Sequence, residues 1–109
     1  VKVSSIAKAV AGHFELNLHQ LLSGRRTKTY VMARRMCSVL CRELTVLSLQ
    51  EIAEAMGMGD HTTVDHHLRT HPGFVRDDHK YAANYNEIRM ELGLTPEHRL
   101  AEPMLRAVK

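Results

Sequence analysis

Ser48-Leu49-Gln50-Glu51-Ile52-Ala53-Glu54-Ala55-Met56-Gly57-Met58-Gly59-Asp60-His61-Thr62-Thr63-Val64 spells two helices and the corner between them. Ser48 and Glu51 have capping-box spacing: the Ser hydroxyl can satisfy the Glu51 N–H while the Glu carboxylate reaches back to the Ser48 N–H. Leu47 and Ile52 occupy the staple positions flanking that box. Leu49, Ile52, Ala53 and Met56 share one helix face, and Gly57 suits the left-handed residue that closes a helix. Asp60 is a strong N-cap for the next helix. The spacing therefore predicts a short helix, about three linking residues that include glycine, and a second helix to about His71, stopped by Pro72-Gly73.

Upstream, Ile6, Val10 and Phe14, with Ala7 and Ala11 beside them, predict a helix over residues 4–14, capped by Ser4 or Ser5. Asn17-x-x-Gln20 opens a short helix carrying Leu18, Leu21 and Leu22, ended by Gly24. Gly24 to Thr29 form a basic loop. From Tyr30 to Thr45 the apolar positions Ala33, Met36, Cys37, Leu40, Cys41 and Leu44 make a wide core-facing stripe, with Arg34, Arg35, Ser38, Arg42 and Glu43 turned away from it. Downstream, Tyr81, Tyr85, Ile88 and Leu92 mark a last long helix over 75–92, closed by Gly93. No segment alternates as a strand does. The expected fold is all-α, a compact domain of about six helices containing a helix-turn-helix. The domain is expected over residues 1–93, with 94–109 a mobile or loosely docked tail.

At 109 residues one domain with a real core is expected. Aromatics are 5% with no Trp, which argues against a β-sandwich and against stacking platforms for single strands. Residues 1–71 hold nine Lys/Arg and six Asp/Glu, while 72–109 hold six of each, so the whole +3 excess lies in the first part. It concentrates in Arg25, Arg26, Lys28, Arg34 and Arg35. Cys37 and Cys41 lie on successive turns of one helix, where a bridge would pin nothing, and read as reduced, half-buried thiols of a cytoplasmic protein. There is no signal peptide, lipidation motif or membrane-length apolar run, so no membrane partner is expected.

The start of the second corner helix carries four small polar groups in a row. Its free N–H groups favour a phosphate. Asp accepts from a cytosine amino group, Thr offers a hydroxyl and a methyl for the thymine methyl, and His donates or accepts at purine edges. Short side chains let such a helix sit deep in a major groove. The bland alternative is an N-cap followed by solvated first-turn residues. The loop arginines weigh against it, since one can enter a narrow, electronegative A·T minor groove while its neighbours hold phosphates. His61, His66, His67 and His71 with Asp65 offer i,i+4 pairs, but one helix makes a poor tetrahedral shell and no Cys falls near, so no metal and no cofactor are expected. No phosphate-binding glycine loop and no activated nucleophile are visible. The chain is not expected to be an enzyme or to take a small-molecule substrate.

Asp60-His61-Thr62-Thr63-Val64, preceded by Ser48-Leu49-x-Glu51-Ile52, resembles the signature of the C-terminal DNA-binding domain of the bacterial replication initiator DnaA. Leu21-Leu22-Ser23-x-Arg25-Arg26 is similar to that family's basic-loop entry, and Arg34-x-Met36 with Arg42-Glu43-Leu44-Thr45 to its long helix. The likeness covers about residues 1–92. It implies binding to the A·T-rich, nine-base DnaA box on double-stranded DNA. It also implies that Arg26 reads the minor groove, that Asp60, His61, Thr62 and Thr63 read the major groove, and that His66 lies near the DNA. The expected phosphate ligands are Arg25, Thr27, Lys28, Arg34, Arg35, Ser48 and Arg69.

The departures are as specific as the matches. The family usually has Gly-Arg before Asp-His-Thr-Thr-Val, and here stands Met58-Gly59. Its Lys before the paired arginines is Gly24, and its Arg-Pro ahead of the long helix is Met32-Ala33. Three basic groups are missing, and Arg35, where the family often has Gln, adds one back. Weaker binding with a related, relaxed preference is expected. The ATPase module that precedes this domain in initiators is not in the chain. Two contexts fit: a stand-alone replication helper or a transcriptional or prophage regulator, or a piece of a full initiator. The departures and the unmatched tail favour the first. The location expected is the cytoplasm, on the nucleoid. A rival from another class uses the same corner to dock on the initiator DnaA or other replication machinery.

Overall fold

Capping chemistry sets most of the helix ends. The computed structural model describes residues 2–23 and 26–94. Its helices are α1 (Val3–His13), α2 (Leu18–Leu22), α3 (Lys28–Leu44), α4 (Leu49–Ala55), α5 (His61–Asp77) and α6 (His79–Glu91). No strand occurs among the described residues, so the fold is all-α as expected. Both capping boxes form. Asn17 Oδ1 accepts from the Gln20 N–H at 2.8 Å, and Gln20 Oε1 from the Asn17 N–H at 2.9 Å. Ser48 Oγ accepts from the Glu51 N–H at 3.1 Å, and Glu51 Oε1 from the Ser48 N–H at 2.8 Å. One cap differs from expectation. Lys2 caps α1 without a side-chain bond, leaving Ser4 and Ser5 in the first turn, and α2 ends at Ser23. The proposed stop at Gly24 lies outside the described residues.

Pro72 does not end the second corner helix. Helix α5 runs through it to Asp77. A proline removes one backbone bond and crowds the carbonyl four residues back, costing about 3 kcal/mol in a helix interior. Burial outweighs that here. Val64, His67, His71 and Val75 recur every three or four residues on one buried face, spanning the proline on both sides. A buried aliphatic side chain alone contributes roughly 1.5–3 kcal/mol. The break falls instead at Asp78, which closes α5 and caps α6, its Oδ1 accepting from the Tyr81 N–H at 3.1 Å. Leu94 still packs against the core, and its N–H bonds to the Arg89 carbonyl at 2.8 Å. The expected tail from 95 onward lies outside the described residues.

Helix α3 is the hub. It packs against α1, α2, α4 and α5, while α6 closes the far side against α1 and α5. The predicted stripe is buried at Ala33, Met36, Cys37, Leu40 and Cys41, and both cysteines are free thiols inside the core. The outward placement of Arg35 and Ser38 is corrected: both are buried. A helix with neighbours on several sides has no broad solvent face, so its polar residues must find partners inside. Arg35 Nε donates to Thr70 Oγ1 at 3.0 Å, and its guanidinium lies 4.2 Å over the Phe74 ring. Ser38 donates to the Arg34 carbonyl at 3.0 Å, leaving its oxygen to accept from His67 Nδ1 at 2.9 Å. On the α6 side, Arg89 pairs with Glu43 at 2.6 Å, and His13 Nε2 lies 2.8 Å from Asn84 Oδ1.

Burial also shifts the titration of His67. Burial first, then the charges of Arg35, His66 and Arg34, push its imidazole down from 6.5 to about 4. Between those values the unfolded chain takes up a proton that the folded chain refuses, so stability is lost as pH falls. The loss is on the order of 3 kcal/mol once pH reaches about 4. Denaturant melts from pH 7.5 to 4 should show it. His67→Leu should lack this component, since Ser38 keeps the Arg34 carbonyl as its acceptor.

Candidate nucleic-acid interface

The corner is built from two short-range devices. At the end of α4, Gly57 adopts φ 70°, and the N–H groups of Gly57 and Met58 return to the carbonyls of Glu54 and Ala53 at 3.1 and 2.8 Å. That is the Schellman pattern, and Met58 packs against the core as the pattern requires. Gly57, Met58 and Gly59 then lie between the C-cap Met56 and the N-cap Asp60. Asp60 is fully extended, and its Oδ1 accepts from the Thr62 N–H at 2.5 Å and from the Thr62 hydroxyl. The Thr62 hydroxyl, then its N–H, then His61 hold the Asp60 carboxyl below its ordinary range, so it is an anion at neutral pH.

Helical geometry divides the residues after Asp60 between two faces. At 100° per residue, Thr62, Thr63, His66 and Arg69 fall within about a third of the circumference, opposite Val64, His67 and His71. The accessibilities agree: His61, Thr62, Thr63, His66 and Arg69 are exposed, while Val64, His67 and His71 are buried. Thr62 spends its proton on Asp60 and so faces outward with a methyl and an accepting oxygen. Arg69 Nε is held by Asp65 Oδ2 at 3.0 Å, one turn back on the same helix.

Arg26 and Thr63 line one groove of about 440 Å³, together with Ser23, Arg34 and the Gly57-Met58-Gly59 turn. Arg26, Thr27 and Lys28 are exposed, Thr27 being the N-cap of α3. Arg25 lies outside the described residues. Arg34 is turned inward, its Nη1 donating to the carbonyls of Ser23 at 2.7 Å and Leu21 at 3.3 Å. It thereby ties the end of α2 to α3 just behind Arg26, and burial together with Arg26 lowers its pKa. Arg35, expected at a phosphate, is instead only 8% exposed and engaged with Thr70 and Phe74. Ser48 is exposed, and its oxygen accepts within the capping box while its own proton remains to be given.

The histidines divide. His67 and His71 are inside, their Nδ1 atoms at Ser38 Oγ and Tyr81 Oη, the latter at 2.8 Å. Among the described residues no group of three or more His, Cys, Asp or Glu side chains is placed to share a metal ion. None of their helices is long and apolar enough to cross a membrane. The grouping of Thr70, Ser38 and His67 is not one that sequence singles out. The available signal is His67 falling on the Val64–His71–Val75 face.

The helix-turn-helix corner has counterparts among known proteins. The family described as "Bacterial dnaA protein helix-turn-helix" matches residues 3–70. The chain is similar to the chromosomal replication initiator protein DnaA of Citrifermentans bemidjiense, 36% identical over 92 residues, covering 84% of this chain and 20% of that protein. It is also similar to the DnaA of Bartonella quintana, 37% identical over 93 residues, covering 85% and 19%. The corresponding Xanthobacter autotrophicus protein is 42% identical over 82 residues, covering 75% and 16%. The chain thus spans about a fifth of the length of these relatives.

A side chain at Gly57 would meet no atom within 4 Å, so only its left-handed backbone resists substitution. Gly57→Ala should destabilise the fold by about 1 kcal/mol in urea melts. Gly59→Ala, at a position with ordinary φ and open space, should cost little.

Proposed function

Because this chain belongs to the family of the bacterial DnaA helix-turn-helix, we propose that it binds double-stranded DNA sequence-specifically at A·T-rich, DnaA-box-like sites. DNA binding in the setting of replication initiation is what that family does. The finer reading is that this domain acts on the nucleoid, in the cytoplasm, in replication initiation or its control. The observation that carries it is the shared groove, lined by both Arg26 and Thr63, beside a helix start whose outward face is His61, Thr62, Thr63 and His66. A minor-groove arginine and a major-groove helix N-terminus have to reach the duplex together, and one face carrying both supports that use.

The side chains suggest the roles. Arg26 enters the minor groove. Thr62 and Thr63 meet thymine methyls and amino groups, Asp60 accepts from an amino group, and His61 and His66 reach flanking edges. Lys28, the Thr27 hydroxyl and the Ser48 proton serve phosphates, and Arg69 does so by exchanging Asp65 for one. Arg34 holds the segment that presents Arg26. None of these roles is catalytic, and none requires a cofactor.

Titrating a DnaA-box duplex and a scrambled duplex at several salt concentrations tests the reading. The box should bind more tightly, and Arg26→Ala and Thr62→Ala should each weaken it by about 1–3 kcal/mol. Equal affinity for the two duplexes overturns sequence-specific recognition. Gly59→Arg should strengthen binding and steepen the logarithmic salt dependence by about 0.9, since it adds one cation where space is open.

A further inference from the structure

Two hydrogen bonds join α3 to α5 in a regular pattern. Arg35 reaches Thr70, and Ser38 reaches His67. The pairs step by three residues up one helix and three down the other, as in an antiparallel seam. Phe74, one turn beyond Thr70, lies against the Arg35 guanidinium. Ser38 Oγ also lies 3.8 Å from Met56 Sδ, which brings the end of α4 to the same point. So α3 meets both helices of the corner at one buried polar station.

We infer that Arg35, Ser38, His67 and Thr70 are positioning residues that fix the register of α5 on α3, and with it the spacing between Arg26 and Thr63. The inference rests on the DNA-binding reading above and names how that site keeps its geometry. Apolar side chains of the core, such as Leu40 and Val64, tolerate small slides because dispersion contacts are non-directional. Hydrogen bonds are lost within a few tenths of an ångström and a modest change of angle. A slide of α5 by one turn, about 5.4 Å, would break both pairs at once and take from buried Arg35 and His67 the partners they have on the facing helix. Each reader rides on one of the joined helices. Thr63 sits one turn ahead of His67 on α5, and Arg26 stands just before α3, whose third turn carries Arg35. A groove that must accept two adjacent DNA grooves gains selectivity from a fixed separation.

The test uses the chain with Ser38→Ala and Thr70→Val together, which alter no charge and no reader. Arg35→Met, which keeps the stem and removes the guanidinium, is measured beside it. Each is checked for folding by circular dichroism and thermal melting, then titrated with a DnaA-box duplex and a scrambled duplex at several salt concentrations. The expected result is a roughly tenfold loss for the box with less than about a twofold change for the scrambled duplex, at unchanged salt slope. If the double variant does not fold, Thr70→Val alone carries the same expectation with a smaller loss. Folded variants that keep the wild-type preference overturn the inference and leave the DNA reading standing. Equal weakening of both duplexes by Arg35→Met, with a salt slope flatter by about 0.9, also overturns it, because Arg35 would then be a phosphate ligand. A wild-type chain that does not distinguish the duplexes overturns the DNA reading and this inference with it.

Discussion

A helix buried nearly all round is the constraint from which the domain is built. Helix α3 has α1, α2, α4 and α5 against it, so its polar side chains cannot simply face water. A buried polar group without a partner costs about 1–3 kcal/mol, which makes its partner a structural requirement. Arg34 therefore holds the carbonyls that end α2, Arg35 holds Thr70, and Ser38 meets His67. Each bond fixes a neighbouring element rather than α3 itself. The exposed face made by Arg26 and the start of α5 is arranged by groups that never reach it.

The corner shows why local devices alone would not suffice. Helix α4 has seven residues, far fewer than the 12–15 or so at which an isolated helix becomes even marginal in water. Its capping box and Schellman closure define where it begins and ends. Its existence comes from Ile52, Ala53 and Met56 being driven into the core. The two contributions are separable in kind. The caps set the angle at which the chain enters and leaves, and burial supplies the free energy. The consequence for α5 is a start whose direction is determined before any partner arrives, which lowers the ordering cost of binding.

Sequence foresaw features governed by a few neighbouring residues. Asn17 with Gln20, Ser48 with Glu51, Gly57, and Asp60 before Thr62 all lie within one turn of their partners, and each stands as read. The misreadings share a different origin. Pro72-Gly73 looked like a stop because proline disfavours a helix interior, yet His71 and Val75 continue the buried face across it, and tertiary packing outweighs propensity. Arg35 and Ser38 looked like surface because an amphipathic stripe presumes one dry side, and no local pattern reveals that a helix will be enclosed. The pairing of Glu43 with Arg89 or Arg35 with Thr70 joins residues dozens of positions apart, so nothing in either neighbourhood announces it. For the candidate interface, the start of α5 and its outward polar residues were legible from their own neighbourhood, while the fate of the arginines was not.

That fate changes the electrostatics of the proposed function. Arg34 and Arg35, two of the cations behind the excess in residues 1–71, are turned inward, and Arg42 Nη1 is directed to the Leu47 carbonyl at 3.3 Å. Arg69 has an acidic partner on its own helix. Among the described residues, Arg26 and Lys28 remain as exposed cations at the basic segment, and Gly59 brings none. Counterion release depends on the number of phosphates neutralised, so this term should be small and common to all sequences. In the proposed reading, base-edge contacts draw on Thr62, Thr63, Asp60, His61 and His66, which the missing cations do not touch. The proposed reading therefore uncouples total affinity from selectivity: fewer phosphate clamps lower the first for every duplex alike, and subtract nothing from the difference between one duplex and another. On the proposed reading, discrimination rests on geometry, and the alignment of α5 on α3 then matters more than another positive charge would.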